Sequence, residues 1–395
     1  MAGSGSRTTA LALPPPPETS GPSAAELNNA FDDPTHGEPG RDRLAIHVVL
    51  EVLLLILVAG MTIAVNQKHH LDGHGIRGLL VLTTVYGLVA LGAGLSLRAG
   101  AVNLAVGPIM IASALYFGQQ RAHHGTFAAV GLALALAAGI GLAMALVVAI
   151  IQAPGWAVSL AAFMGVDVWI THLPSSVHVT GTPNVVGQGY YVFAGFAVIA
   201  VVGGWLGTIR PIRRALGRYR PVSDPADRRG AGAALTVGVA LVVSSVLASG
   251  AGIVSVMSTR TMATDSGLVW SAAAVAIALV AGTSVFGRRG GVAGTLLAAA
   301  LFVLVTDYSN LADYRVDTRA LIGGALAVGV IISRAIEMFG RPAGTHDNVS
   351  TARWLAGRGS RWRTSTTEPV SENGTDRPSA EWVQPTDEAW GAPSS

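Results

Sequence analysis

Charged side chains are scarce in this chain of 395 residues. Asp, Glu, Lys and Arg make up only 12% of it, whereas a soluble domain carries about 25%. Hydrophobic residues account for 51%, and the mean hydropathy is +0.50. This balance argues against an ordinary soluble domain and indicates a protein of the lipid bilayer.

Cysteine is absent, which excludes disulfide bonds, zinc–thiolate sites and thiol catalysis. Lysine occurs once, at Lys68, and it follows Asn66 and Gln67 rather than glycine. The Gly-x-x-x-x-Gly-Lys-[Ser/Thr] loop that binds nucleotide phosphates is therefore excluded. The chain cannot hydrolyse ATP by that route, so an ATP-driven process would need a separate ATPase subunit.

Long apolar segments are what the sequence has in abundance, together with 49 glycines that allow membrane helices to approach closely. The pattern predicts an all-α, polytopic membrane helix bundle with about ten transmembrane helices. The ten segments are Leu44–Val65, Gly78–Leu97, Leu104–Phe117, Phe127–Ile151, Ala157–Ile170, Tyr191–Leu206, Ala233–Val256, Leu268–Phe286, Val292–Val305 and Ala320–Phe339.

Polar tails flank the predicted transmembrane domain, residues 44–341. Residues 1–43 include a run of four prolines, and residues 342–395 are rich in Ser, Thr, Gly and Arg. Neither tail can bury enough apolar surface to fold, so both are predicted to be disordered.

Three apolar segments are shorter than the roughly 20 residues that a straight span requires. They begin at Leu104, Ala157 and Val292, and each follows Gly, Pro or both. Such segments are typical of broken or re-entrant helices, which gather at the solute pathway of transporters. Ordinary short helices in a thick bundle explain the pattern equally well, and both interpretations remain open.

One loop between apolar segments, residues 208–231, holds seven arginines. An excess of positive charge in a short loop marks the cytoplasmic side. Counting spans from this loop predicts a multi-pass protein of the cell membrane with both termini in the cytoplasm. The loops on the opposite side carry few basic residues, with Arg260, Arg315 and Arg319 as exceptions.

Two segments resemble a known protein family. Residues 280–295, Val-Ala-Gly-Thr-Ser-Val-Phe-Gly-Arg-Arg-Gly-Gly-Val-Ala-Gly-Thr, closely resemble the signature Gly-Gly-Thr-Ser-Leu-Phe-Gly-Gly-Arg-Gly-Gly-Val-x-Gly-Thr of ribose-type ABC transporter permeases. Residues 99–107 resemble that family's Gly-Gly-Ile-Asp-Leu-Ser-Val-Gly segment, with Asn103 in place of Asp and Ala105 in place of Ser. The resemblance covers roughly residues 44–341 in order and spacing.

The resemblance implies the membrane permease subunit of an ABC importer for a small polar solute, first of all a monosaccharide. The implied partners are an ATPase subunit, an extracytoplasmic solute-binding protein, a second permease subunit and membrane lipid. Nucleic acid and cofactors are not expected. The alternatives are a permease for nucleosides or branched-chain amino acids, and a stand-alone secondary transporter.

Five residues are candidates for the substrate pathway. We expect Asn103 to cap the apolar helix that follows it. Thr283 and Ser284 can hydrogen-bond a preceding turn or a neighbouring helix, so packing is their first expected role and solute contact their second. Asp167 and Trp169 offer a sugar a hydrogen-bonding group and an aromatic face, although pairing within the bundle explains them equally.

The arginine-rich loop, taken as residues 208–232, contains a predicted start of a short helix, with Asp224 at the N-cap and Asp227 at N3. ABC permeases dock such a cytoplasmic helix on the ATPase, and Arg228 or Arg229 aligns with the arginine of the family's Gly-x-Asn-x-x-Ala-Ala-Arg-x-x-Gly segment. These four residues are therefore the candidates for ATPase coupling. A basic loop held at anionic lipid is the alternative.

Signals for enzymatic or metal chemistry are weak. The cluster of His69, His70, Asp72 and His74 is interpreted as a polar surface loop rather than a metal site. Glu51 lies one turn after His47 in the first apolar segment, and an internal pair is expected there. No catalytic constellation is found, so the chain is predicted not to be an enzyme.

Overall fold

The computed structural model describes residues 44–207, 230–285, 292–311 and 316–339, together with residues 209, 211, 212 and 216. The chain divides into two units, residues 1–343 and 344–395, and every described residue lies in the first. Both predicted tails lie outside the described residues.

Helices make up most of the described part of the chain, which confirms the prediction of an all-α bundle. A pair of three-residue strands accompanies ten helices there. In chain order these elements are α1 (Leu44–Lys68), α2 (Gly73–Arg98), α3 (Val106–His124), α4 (Thr126–Ile151), α5 (Gly155–Thr171), β1 (Ser176–His178), α6 (Gly189–Leu206), α7 (Gly230–Thr259), β2 (Thr261–Ala263), α8 (Leu268–Val280), α9 (Gly294–Leu311) and α10 (Thr318–Phe339).

Seven of the described helices, α1, α2, α4, α6, α7, α9 and α10, are long and apolar enough to cross a membrane. The chain is therefore a multi-pass membrane protein. The predicted number of about ten spans stays a prediction, because α5 and α8 have only 17 and 13 residues and α3 does not meet this criterion either.

The structure corrects the prediction for two segments. The segment from Val292 was expected to be short, but α9 extends through Leu311 and is long enough to span. The segment Leu268–Phe286 was expected to be continuous, but α8 ends at Val280. It ends there because Gly282 adopts a left-handed backbone conformation, with φ of 91°, which a continuing helix cannot accommodate.

Apolar side chains point outward over the surface of the bundle, as a lipid environment requires. Leu55 and Ile56 of α1 are exposed, and so are Tyr191 at the start of α6 and Trp205 at its end. Exposed aromatic rings at the two ends of a span are typical of the two membrane–water interfaces. We call the end at which α6 finishes and α7 begins the inner end, and the opposite one the outer end.

The longest described helix, α7, lies at the centre of the bundle and packs against α2, α3 and α4. Small residues permit these close contacts. A Cβ added to Gly252 of α7 would overlap the carbonyl oxygen of Met110 in α3. Close backbone approach through glycine is a usual mode of helix packing in membranes, and it holds α3 firmly against α7.

Candidate functional site: two helix breaks in the bundle

The first break is the non-helical segment of residues 99–105, between α2 and α3. Gly100, with φ of 74°, turns the chain at the end of α2. The Gly100 N–H donates to Leu97 O and the Ala101 N–H donates to Ser96 O, each at 3.0 Å. This is the Schellman closure of a helix C-terminus, and after it the chain turns back along the last turns of α2.

Asn103 is the centre of the first break and is completely buried. Its side-chain Oδ1 accepts from the Ala105 N–H at 3.0 Å. Its Nδ2 donates to Ser244 Oγ at 3.0 Å and to Ser245 Oγ at 3.5 Å, both on α7. The amide therefore ties the break to the central helix.

The prediction that Asn103 is the N-cap of α3 is wrong by two residues. The N-cap is Ala105, which has no capping side chain. A turn at Leu104 and Ala105 separates Asn103 from the helix, so its side chain closes that turn instead.

Serine hydroxyls of α2 and α5 bond three backbone groups of the first break. Ser96 Oγ of α2 accepts from the Asn103 N–H at 3.0 Å. Ser159 Oγ of α5 donates to Val102 O at 2.6 Å and accepts from the Leu104 N–H at 3.1 Å. These three backbone groups are thus satisfied by serine hydroxyls, as an apolar interior demands.

The start of α3 is held in the same way by α8. Ser271 Oγ of α8 donates to Leu104 O at 2.7 Å and accepts from the Gly107 N–H at 3.0 Å. Gly107 also lies directly on Gly267, because an added Cβ would stand 2.8 Å from the Gly267 carbonyl carbon. The inner end of α3 and the first turn of α8 are therefore locked together.

The depth of this break follows from its partners on α7. Ser244 and Ser245 lie halfway along that 30-residue helix, which is long enough to span the membrane. The non-helical segment at Asn103 is therefore beside the middle of a helix long enough to span the membrane.

The second break, residues 281–285, follows α8 and closes with the same pair of hydrogen bonds. The Gly282 N–H donates to Leu279 O at 2.9 Å, and the Thr283 N–H donates to Ala278 O at 3.1 Å. Thr283 and Ser284 are both buried. Beyond them, the Val285 N–H donates to Ser333 Oγ of α10 at 3.0 Å. Two interrupted helices thus end in the same local geometry.

Glu51 of α1 supports the start of the helix that follows the second break. Its Oε1 accepts from the Ala293 N–H at 2.8 Å, one residue before α9 begins. A carboxylate at a helix N-terminus satisfies a free N–H group and is favoured by the helix dipole. The sequence suggested His47 as the partner of Glu51, and this contact to α9 was not foreseen.

The two breaks lie on neighbouring positions of α2. Asn103 contacts Ser96, and a Cβ added to Gly94 would be 3.6 Å from Thr283 Oγ1. Next to them is a cavity of about 180 Å³. Its lining comes from α2, α6, α7, the second break and α9: Leu91, Gly94, Leu95, Arg98, Ile199, Ala200, Gly203, Gly204, Val243, Leu247, Thr283, Val292 and Thr295.

Arg98 marks the inner end of this cavity. Its guanidinium Nη2 donates to Gly207 O at 3.4 Å, just past the end of α6. A cation at a helix C-terminus interacts favourably with the helix dipole. The cavity therefore combines apolar walls with the hydroxyls of Thr283 and Thr295 and one fixed positive charge.

Asp167 and Trp169 lie away from both breaks, towards the outer end of α5. Ser159 contacts the first break, and Asp167 follows it by eight residues, about 12 Å along the helix axis. Asp167 is half-buried, and Trp169 packs on Tyr116 of α3 with ring centroids 6.3 Å apart. The structure thus places Asn103, Thr283 and Ser284 at the breaks and separates Asp167 and Trp169 from them.

Sequence reasoning missed the serines that hold the first break, namely those at positions 96, 244, 245 and 271. The available signal was weak: each is a hydroxyl within an apolar run, and two of them are adjacent in α7. Their shared purpose is visible only once α2, α7 and α8 are packed together.

The polar cluster after α1 supplies the N-cap of α2. Asp72 is the N-cap of α2, and its Oδ1 accepts from the Gly75 N–H at 2.7 Å. This hydrogen bond lowers the pKa of Asp72 below its usual value. Within the described residues, no group of three or more His, Asp or Glu side chains is arranged to hold a metal ion.

The candidates for ATPase coupling, Asp224, Asp227, Arg228 and Arg229, lie outside the described residues. Their proposed role therefore stays a prediction from the sequence.

Comparisons of the chain with protein-family models, with curated proteins and with solved structures gave no match.

Proposed function

We propose that this chain is the membrane permease subunit of an ABC importer for a small polar solute, with a monosaccharide as the first candidate. In this proposal it resides in the cell membrane with both termini in the cytoplasm. The resemblance of residues 99–107 and 280–295 to ribose-type permeases supports it, because both segments coincide with helix breaks.

The observation that carries the proposal is the first break. A non-helical segment beside the midpoint of a spanning helix is unnecessary for a protein that only anchors in the membrane. Transporters use discontinuous helices at this depth to present backbone and side-chain polar groups to a solute. Here the break is closed by Asn103, serine hydroxyls and backbone amides that bond one another, and such uncharged groups suit the wall of a pathway for an uncharged, hydroxyl-rich solute.

The cavity beside the second break fits the inner half of such a pathway. Thr283 and Thr295 supply hydroxyls in an otherwise apolar wall, and Arg98 stands at its inner end. Of the five predicted pathway residues, Thr283 therefore has the clearest claim to contact with solute.

A separate ATPase subunit would drive the transport, because the chain lacks a phosphate-binding loop. The chain itself would then not be an enzyme. An extracytoplasmic solute-binding protein would supply most of the specificity, which explains a pathway with few charged groups.

A second permease subunit would cover the exposed face of α5. Trp156, Leu160, Met164 and Val168 follow one another at helical spacing on this face, and all four are exposed. Asp167 lies at its edge and is only half-buried. A carboxylate at membrane depth is costly unless it faces protein or water, so a neighbouring subunit or a pathway between subunits would relieve that cost.

Asp167 is also the observation that favours the alternative, a stand-alone secondary transporter. Coupling-ion sites in such transporters are built from intramembrane carboxylates. In that case ion-driven uptake by the isolated chain would depend on Asp167. If the chain is instead an ABC permease, nucleosides and branched-chain amino acids are the alternative solutes.

Co-purification in mild detergent with the ATPase encoded nearby tests the proposal. We expect the wild-type chain to retain the ATPase. The double variant Asp224→Ala/Arg228→Ala should retain at least about ten-fold less, because loss of a central interface contact typically costs 2 kcal/mol or more. The matched control is Asp313→Ala/Arg315→Ala, in the loop predicted to lie on the opposite side, which should bind like the wild type.

Each outcome has a distinct meaning for the proposal. Equal binding by the wild type and by the first double variant would keep the ABC assignment and reject the coupling residues. Absence of binding by well-folded wild-type protein would reject the ABC assignment itself.

A further inference from the structure

The segment between α5 and α6, residues 172–188, lies across the outer end of the bundle, and we call it the outer strap. It contains β1, which pairs with β2 in antiparallel register so that Val177 faces Met262. The pairing is extended by two backbone hydrogen bonds. The Val179 N–H donates to Arg260 O at 2.9 Å, and the Thr264 N–H donates to Ser175 O at 3.0 Å. The strap is therefore fastened to the segment that joins α7 to α8.

Arg260 fastens the strap a second time through its side chain. Its Nη1 donates to both Thr182 O, at 3.3 Å, and Thr182 Oγ1, and its Nη2 donates to Pro183 O at 3.5 Å. Arg260 itself has a φ of 63°, a conformation that is costly for a residue with a side chain. These hydrogen bonds account for the presence of Arg260 on the side of the membrane that was predicted to carry few positive charges.

Val177 and Val179 of the strap pack on Gly118 in the outer half of α3. Val177, Val179 and Val185 are buried although they belong to a connecting segment. Val177 lies directly on Gly118 of α3, where an added Cβ would overlap its Cγ1. The three valines belong to the same apolar cluster as Leu115 of α3. This apolar contact excludes water and polar solutes from that part of α3 while the strap is in place.

We propose that the outer strap is the outer gate of the pathway, which rests on the proposed transport function. In the conformation seen here the gate is closed. It opens when β1 separates from β2 and Val177 leaves the surface of Gly118. The hydroxyl-bonded break at Asn103 stays fixed during this step.

The strap is suited to this movement because its fastenings are few and lie outside the spanning helices. Two three-residue strands, side-chain hydrogen bonds from Arg260 and Thr264, and the packing of three buried valines hold it. Opening the strap breaks these contacts but leaves the hydrogen bonds within the spanning helices intact, so it costs less free energy than opening a helix. Moving α3 instead would break its close glycine contacts with α7 and α8.

A disulfide across the two strands provides the first test. Ser176 and Ala263 face each other at a position without mutual hydrogen bonds, where Cα atoms are about 4.5 Å apart. That spacing suits a disulfide, and both side chains are exposed. Since the chain has no cysteine, the double variant Ser176→Cys/Ala263→Cys contains only the two introduced thiols.

In proteoliposomes with the partner ATPase and binding protein, oxidation of the double variant is expected to lower solute uptake at least about ten-fold, because the strap can no longer open. A reductant should restore uptake. The single variants Ser176→Cys and Ala263→Cys, oxidised in the same way, should transport normally. Uptake that continues unchanged through the verified disulfide would overturn the gate and leave the proposed function intact.

A second test needs no transport. Ser113 lies near the middle of α3 and is buried, and its hydroxyl has no hydrogen-bond partner among the described residues, so Ser113→Cys should be tolerated. We expect a charged maleimide to label this thiol slowly in detergent. Adding Arg260→Ala should raise the labelling rate about ten-fold or more, because several hydrogen bonds from a charged donor are lost. Arg319→Ala, at an exposed outer arginine of α10, is the matched control.

The two tests separate the two hypotheses. If no uptake is found even without the disulfide, the transport proposal fails, and the labelling rates alone decide whether the strap closes over α3. Equal labelling with Arg260→Ala and Arg319→Ala would overturn the strap as a closure. If Arg260→Ala does not fold, Thr182→Val replaces it and should give a smaller rise in the same direction.

Discussion

Replacing Asn103 with leucine is expected to destabilise the bundle by about 2–4 kcal/mol and to abolish transport. The side chain accepts from the Ala105 N–H and donates to Ser244 and Ser245. Hydrogen bonds between membrane helices average only about 0.6 kcal/mol, so losing the two contacts to α7 accounts for the smaller part of the lost stability. The larger part comes from the Ala105 N–H, which would be left in an apolar interior without an acceptor.

Heating of the detergent-solubilised protein, followed by size-exclusion chromatography, measures this effect. Asn103→Leu should lower the melting temperature by about 5 °C or more. Asn103→Asp should lose less, since a carboxylate still accepts from Ala105 and the serines can donate to it. Asn310→Leu, at an exposed position of α9, is the control and should melt like the wild type. A melting temperature of Asn103→Leu equal to that of the control would show that the first break does not depend on this side chain.

Gly107→Ala is expected to cost about 3–5 kcal/mol, although it adds a single methyl group. The new Cβ would overlap Gly267 O and stand 2.6 Å from Ser271 Oγ. The atoms of Gly267 that it meets belong to the backbone, which cannot rotate away as a flexible side chain could. The start of α3 must therefore shift from α8, which also breaks the hydrogen bond from the Gly107 N–H to Ser271.

The same substitution at Gly139 of α4 isolates the cause. An added Cβ meets nothing within 4 Å there, so Gly139→Ala should be neutral or stabilising by up to about 1 kcal/mol through helix propensity. A loss of stability with Gly107→Ala and none with Gly139→Ala would show that the effect arises at the contact between α3 and α8. Equal melting of the two variants would mean that α3 and α8 are not in contact as the structure shows.

Local sequence pattern was sufficient for most of the helices and for the position of the first break. The run from Leu44 predicts α1 nearly to its end, and Gly100 with Asn103 marks the interruption after α2. These features are local, because an apolar run and a left-handed glycine impose their structure on their own neighbours.

Partners distant in the chain could not be foreseen in this way. Asn103 meets Ser244, which is 141 residues away, and Glu51 meets Ala293, which is 242 residues away. The early end of α8 was missed for a related reason. Thr283 and Ser284 are acceptable in a membrane helix, and only the backbone conformation at Gly282 shows that the helix has ended.

The separation of Asp167 from Asn103 also depends on packing. Both lie in or next to short apolar segments, which the sequence grouped as one pathway. In the structure α5 contacts the first break through Gly155 and Ser159 near its start, and Asp167 lies two turns beyond Ser159. Asp167 is therefore the residue that distinguishes the two transport mechanisms, while the breaks are common to both.

Uptake into proteoliposomes tests the central claim most directly. The vesicles contain the chain alone, or the chain with the ATPase encoded beside it and the solute-binding protein, and the probe is a radiolabelled monosaccharide mixture. We predict uptake only with the complete set of proteins and ATP, and no effect of an ion gradient on the chain alone. Uptake by the chain alone that follows an ion gradient and is lost in Asp167→Asn would contradict the account and identify a secondary transporter.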